Sequence, residues 1–304
     1  MKFTRKEFLK TGALITSGVL LQGHKFFYPV QEKVSGFKLL RDNFGIYTER
    51  GGTIGWYVAK DSVAVIDSQF PETVKQFIAE LQKKTTRKID LFFNTHHHAD
   101  HTGGNLYIKD FADKMIAHEQ CVELQKKFYG SNPDAQQAYA STTFTDEWRQ
   151  KIGKETVVAK YFGTAHTSGD VIIHFEKSNI AHVGDIVFNR TYPYIDANGG
   201  GSVASWIDTL EKVIKYYSKD TLFIFGHGAK NDLVSGSLND VKAMKDLLST
   251  LVDFVSKGMK NGKSKVEISL STEIPGTEGW KERVAGMLRI DLEKVYDELN
   301  KNKL

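Results

Sequence analysis

Four short clusters of histidine and aspartate each follow an apolar run, and that arrangement constrains this chain more than anything else in it. Residues 91–93 (Leu-Phe-Phe) run into Thr95-His96-His97-His98-Ala99-Asp100-His101-Thr102-Gly103-Gly104, and residues 157–162 run into Gly163-Thr164-Ala165-His166. Residues 180–183 end at Gly184-Asp185, and residues 222–225 end at Gly226-His227-Gly228. Polar side chains projecting from several strand ends into one shared edge are how a rigid sheet assembles a site from distant sequence. In an extended segment His96 and His98, two residues apart, point the same way, while Asp100 and His101 follow a turn and can face a neighbouring ion. Imidazole and carboxylate suit zinc, and seven such groups suffice for two adjacent ions that activate water.

The remainder of the composition is that of an ordinary folded chain: 304 residues, 40% hydrophobic, 12% aromatic, five prolines. The net charge of +4 is matched by the first 25 residues alone, where Lys2, Arg5, Lys6, Lys10 and Lys25 stand against Glu7. The body is therefore close to neutral, which argues against a nucleic-acid partner. Cys121 is the single cysteine, so no intramolecular disulfide forms, and it reads as a small core residue. His118 three residues earlier offers a thiol–imidazole pair as the alternative.

Residues 1–25 read as an export segment: a basic stretch precedes an apolar run of about ten residues, too short for a bilayer span of about 20. Thr4-Arg5-Lys6-Glu7-Phe8-Leu9-Lys10 resembles the twin-arginine consensus with lysine as the second basic residue, which implies a periplasmic protein exported in the folded state. A retained anchor and a frayed basic start on a cytoplasmic protein are the alternatives.

No repeat or Pro/Gly/Ser linker divides the body. Strands are expected over residues 37–47, 53–58, 63–66, 91–93, 157–162, 171–175, 180–183 and 222–225, with turns at Gly51-Gly52, Lys60-Asp61 and Lys177-Ser178-Asn179. Helices are expected over residues 71–84, 105–111, 118–128 and 206–217. The tail from residue 241 reads as mainly helical, with one extended piece over residues 265–270.

The metal-ligand spacing, together with the later Gly184-Asp185 and Gly226-His227-Gly228 clusters, resembles the metallo-β-lactamase superfamily over about residues 36–230, and Asp67 matches a further superfamily position. The resemblance implies an α/β (α+β) fold, a four-layer αββα sandwich, as a hydrolase domain over residues 36–235 with a helical C-terminal extension over 236–304. It implies that His96, His98 and His166 bind a first zinc, that Asp100, His101 and His227 bind a second, and that Asp185 bridges both. Asp100 and Asp185 would serve catalysis. A metal-bridging hydroxide would attack an ester, thioester, lactone or lactam carbonyl of a small substrate, and the positive centre would favour carbonyl-bearing or anionic molecules.

The best-known β-lactamase subclass has cysteine at the position of Asp185; aspartate there resembles the thioesterase and lactonase pattern. Action on β-lactam antibiotics is one alternative. A single iron on His96, His98 and His166, supporting persulfide oxidation, is another, and a non-catalytic zinc-binding protein is a third. Residues 184–202 also resemble a group of exported bacterial proteins in this superfamily, in which the loop after the bridging aspartate passes beside the metals. Tyr192, Tyr194 and Asp196 are thereby candidate substrate-pocket residues, with a purely structural aromatic loop as the alternative reading. His97 is expected behind the ligands or at the surface, and His118, His174 and His182 as structural residues. Lys257, Lys260 and Lys263 read as a solvated basic face.

Overall fold

The computed structural model describes residues 36–132 and 136–301. The segment assigned to export therefore lies outside the described residues. Strands β1 (Phe37–Arg41), β2 (Phe44–Tyr47), β3 (Ile54–Val58) and β4 (Val63–Ile66) form an antiparallel meander. To it β5 (Leu91–Phe93), β6 (Met115–His118) and β7 (Thr142–Phe144) are added in parallel. A second sheet holds β8 (Glu147–Ile152), β9 (Glu155–Tyr161), β10 (Val171–Phe175) and β11 (Ile180–His182) in antiparallel order. β12 (Phe188–Asn189) pairs apart from it with β14 (His227–Gly228), while β13 (Leu222–Ile224) extends the second sheet parallel to β11 and β15 (Ser235–Gly236) closes its edge. The helices are α1 (Pro71–Gln82), α2 (Ala99–Thr102), α3 (Asn105–Ile108), α4 (Glu119–Tyr129), α5 (Val203–Tyr216), α6 (Leu238–Lys260), α7 (Lys265–Ser269) and α8 (Met287–Lys301).

Strand periodicity explains the layering. Side chains alternate faces along a strand, and strands that read as unbroken apolar runs must be covered on both sides. In β4, Ala64 and Ile66 face the second sheet, where they share a core with Phe44, Phe93, Val171, Ile173, Phe175 and Ile224. Val63 and Val65 face outward with Trp56 and Phe92, onto Val74, Phe77, Ile78 and Leu81 of α1. On the other sheet Ile172, Ala181 and Phe223 turn outward onto Trp206 and Leu210 of α5, Met244 and Leu251 of α6, and Leu292 and Val295 of α8. The order is helix, sheet, sheet, helix, as expected of the fold.

Several local expectations are corrected. The run over residues 37–47 is two strands, broken where Asp42 adopts a left-handed φ of 48°. The helix expected from residue 118 begins at Glu119; His118 closes β6, and its Nδ1 accepts from Gln120 N as the helix cap. The expected extended piece over 265–270 is instead the helix α7, Lys265–Ser269, because Ser264 and Glu267 make a capping box that outweighs the β-branched Val266 and Ile268. β6, β7 and β8 were not anticipated; in β8 the outward residues are polar and the run lacks an apolar signature. Cys121 is fully buried in a small cluster with Ala117 and Val122, while the His118 ring bonds Gln120 and Thr145, so no thiol–imidazole pair forms.

The inter-sheet core generates a prediction. Phe175 is fully buried, with its ring 5.0 Å from Phe44 and 5.4 Å from Tyr57. Phe175→Ala should lower the unfolding free energy by about 3–5 kcal/mol in a denaturant titration. A loss below about 1 kcal/mol would contradict the packing described.

Candidate metal centre

The four clusters meet at one edge of the sandwich. His96, His98 and Asp100 follow β5, with Asp100 and His101 in α2; His166 follows β9, Asp185 follows β11, and His227 opens β14. Among the described residues the seven fall into two groups of ligand atoms, each within 4.8 Å: His96, His98, His166 and Asp185 in one, Asp100, His101 and His227 in the other; His98 also forms such a group with His97 and Asp196. In the first, Nδ1 of His98 lies 3.2 Å from Nε2 of His96 and 2.9 Å from Nε2 of His166. Asp185 joins the groups: its Oδ2 is 3.8 Å from His96, 3.6 Å from His166 and 3.3 Å from His227, and its Oδ1 is 3.1 Å from His101. Asp100 Oδ2 lies 3.0 Å from His227 Nε2 and 3.7 Å from His101 Nε2.

What each imidazole does with its other nitrogen decides what the centre can hold. His96 Nδ1 lies 3.1 Å from Thr95 Oγ1, whose proton is given to Asp67, so the hydroxyl is left to accept from His96. His98 Nε2 donates to Asp196 at 2.9 Å, His101 Nδ1 to Asp67 at 2.7 Å, and His166 Nδ1 to the Tyr194 carbonyl at 2.6 Å. A neutral imidazole carries one proton, so His96, His98 and His166 each turn a bare lone pair inward, while Nε2 of His101 lies 3.1 Å from Asp185 Oδ1. Those three lone pairs confront one another and the buried Asp185 carboxylate at 2.9–3.8 Å. A cation is what such a donor set requires, and the outward bonds are the kind that orient metal-bound imidazoles. His227 differs, because its Nδ1 meets the Arg283 guanidinium.

The electrostatics divide the groups. Burial, reinforced by His98, pushes His166 down to about 3, and burial with His101 holds His96 well below the usual imidazole range, so both stay neutral. Burial also opposes charge on His101, but Asp185, Asp100 and Asp67 outweigh it and raise its pKa well above the usual value. His227 is raised for the same reason, by Asp185 and Asp100. Burial disfavours the Asp185 carboxylate, yet His227, His101 and His96 hold it well below the ordinary range. In the metal-free chain the second group thus holds protons that cations would displace.

Two glycines permit the close approach of backbone. A Cβ at Gly52 would meet the His101 ring at 2.1 Å, and one at Gly226 would meet Asp185 Oδ1 at 1.9 Å. The Gly51-Gly52 turn thus lies against the metal ligands, with Gly52 N donating to Asp100 O at 3.0 Å. Asp67 sits at the end of β4 with a left-handed φ of 62° and gathers Thr95 N, Thr95 Oγ1 and His101 Nδ1 on its carboxylate. The centre opens where His98 and Asp100 stand, their side chains 17% and 29% exposed while the other five ligands are buried.

The candidate pocket residues separate. Tyr194 is half exposed at this opening, its ring 5.8 Å from that of His98. Asp196 is buried and bonds His98. Tyr192 is not brought to the opening: it is buried in the core beneath α5, α6 and α8, and its hydroxyl bonds Thr277 at 2.8 Å. His97 is buried rather than at the surface, stacked on Phe128. His182 is a structural residue, donating from Nε2 to the Thr53 carbonyl at 3.0 Å and accepting from Gly184 N. Two neighbours of the centre escaped the sequence reading. Arg283 reaches His227 across 56 residues of chain, and Tyr129, at the end of α4, bonds the backbone at Ala99; neither stands in a motif.

The comparisons with known proteins agree with this geometry. The family model described as the metallo-beta-lactamase superfamily matches residues 47–227. A type 2 metallo-beta-lactamase of Elizabethkingia meningoseptica is 26% identical over 197 residues, covering 62% of this chain and 76% of the relative. A hydroxyacylglutathione hydrolase of Crocosphaera subtropica is 32% identical over 131 residues, 43% of this chain and 45% of that protein. The crystal structure of metallo-beta-lactamase IND-7 superposes with a TM-score of 0.59 at 25% identity, covering 72% of this chain and 100% of that one. With the family match running through all four clusters and those clusters converging on one point, the chain belongs to the metallo-beta-lactamase superfamily and is a metal-dependent hydrolase.

Proposed function

We propose that the protein is a dinuclear zinc hydrolase that cleaves an ester, thioester, lactone or lactam carbonyl. The observation that carries this reading is Asp185, buried between two complete ligand groups with an oxygen within 4 Å of each. His96, His98 and His166 would hold one ion, Asp100, His101 and His227 the other, and Asp185 both. Bound there, a pair of zinc ions supplies a strongly polarised water at neutral pH and positive charge to stabilise a developing oxyanion. The chain's own groups do the rest. Asp100 and Asp185 offer only two negative charges, so with two divalent ions bound the centre would stay positive and attractive to a carbonyl oxygen or an anionic substituent. Asp100, more exposed at the mouth than Asp185, is placed to take up the proton that the attacking water loses. Tyr194 forms part of the wall against which the substrate lies. Action behind an export signal, in the periplasm, is consistent with a site that folding completes.

The intact second ligand group favours two ions over a single iron on His96, His98 and His166, and the full set of seven ligands favours catalysis over a binding role. The β-lactamase reading is supported by relatives of that name matching about three quarters of their own length. The Asp185 carboxylate favours the thioesterase and lactonase side.

Two outcomes test the proposal. Stripping the metal should abolish turnover of the best substrate in a panel of a chromogenic cephalosporin, a lactoyl thioester, acyl-homoserine lactones and aryl phosphates, and zinc should restore it. Turnover confined to the aryl phosphates would contradict a carbonyl substrate. Asp185→Ala should lower kcat by about a thousandfold or more and reduce bound zinc below two equivalents by elemental analysis, with circular dichroism unchanged. Full activity in this variant would remove the mechanism.

A further inference from the structure

Asp196 lies in the loop between β12 and α5, distant in sequence from the histidine clusters, and both oxygens of its side chain are committed to that loop or to the first cluster. Its Oδ2 accepts from His98 Nε2 at 2.9 Å and lies 3.5 Å from His97 Nε2; its Oδ1 accepts from Gly199 N at 2.9 Å. Its side chain is 6% exposed. The loop is pinned independently: Gly201 N bonds the Asp196 carbonyl at 2.8 Å, Asp196 N bonds the His166 carbonyl at 3.3 Å, and Lys127 Nζ bonds the Asn198 carbonyl at 3.0 Å. A carboxylate so occupied has little capacity left for a substrate.

His98 also differs from its partners. His96 and His166 aim Nε2 at the centre, whereas His98 aims Nδ1. Its ring must therefore carry the proton on Nε2, and an acceptor at that nitrogen selects that tautomer and ring orientation. The neighbouring His97, buried behind it, faces the same carboxylate oxygen from 3.5 Å. We infer that Asp196 is a positioning residue that fixes His98 as an Nδ1 metal ligand, and that it does not bind substrate. This rests on the dinuclear reading above.

The test is zinc affinity in competition with a chromogenic chelator, measured on the full-length wild type, Asp196→Asn and Asp196→Ala. Asn keeps the shape of Asp but has one acceptor oxygen where Asp has two, so it guards against a loss caused by misfolding; melting of the metal-free proteins provides the control. The expected result is that one of the two zinc equivalents weakens about 10–100-fold while the other holds. kcat should fall with KM nearly unchanged, and nitrogen NMR of the His98 ring should show the Nε2–H form depleted. Wild-type affinity for both equivalents in the two variants, or a rise in KM alone, would overturn the inference. A wild-type chain that retains no metal would contradict the dinuclear reading, and this inference with it; unchanged variants of a metal-binding wild type contradict the role of Asp196 alone.

Discussion

Imidazole lone pairs forced to face one another around a buried carboxylate are the constraint on which the rest of this structure depends. His98 and His166 place nitrogens 2.9 Å apart, and the partners of their remaining nitrogens oblige both to be acceptors. Like-polarity contacts at that distance in a water-poor setting are costly, and only cations or several protons relieve them. The fold holds them there. Asp67, Asp196, Thr95 and the Tyr194 carbonyl each fix one ring from outside, and they come from the end of β4, the loop before α5 and the start of the first cluster.

That arrangement explains why the sandwich is built as it is. The segments bearing the first cluster, Asp185 and His227 follow β5, β11 and β13, strands that contribute side chains to two cores, so those strand ends cannot move without disturbing both. The C-terminal helices brace the segment that carries Tyr194 and Asp196. Thr277 bonds the Tyr192 hydroxyl, and Glu298 of α8 accepts from Ser202 Oγ and from the first amides of α5, closing the other end of the same loop. The loop beside the candidate centre is thus tied at both ends to the C-terminal segment rather than a free flap.

Much of this was legible in the sequence. The seven candidate ligands and Asp67 stand in local motifs that the family resemblance picks out, and the apolar runs before the clusters announce the strands. Asp196 was visible, but its role was not, because the partner that gives it a role is 98 residues away. Tyr192 reads the same in sequence whether it faces the metal ligands or the C-terminal segment, and the Thr277 bond places it with the latter. Arg283 and Tyr129 left no signal, since both reach the centre from helical or loop segments without a motif. Strand β8 was hidden by its polar outward face, and α7 by two β-branched residues inside a capped helix.

The central claim is that Asp185 stands between two metal ions. Crystals of the zinc-loaded protein, measured at the zinc absorption edge, test it directly. The account predicts two anomalous peaks about 4 Å apart, one beside His96, His98 and His166 and one beside Asp100, His101 and His227. A single peak, or none within reach of Asp185, would contradict it.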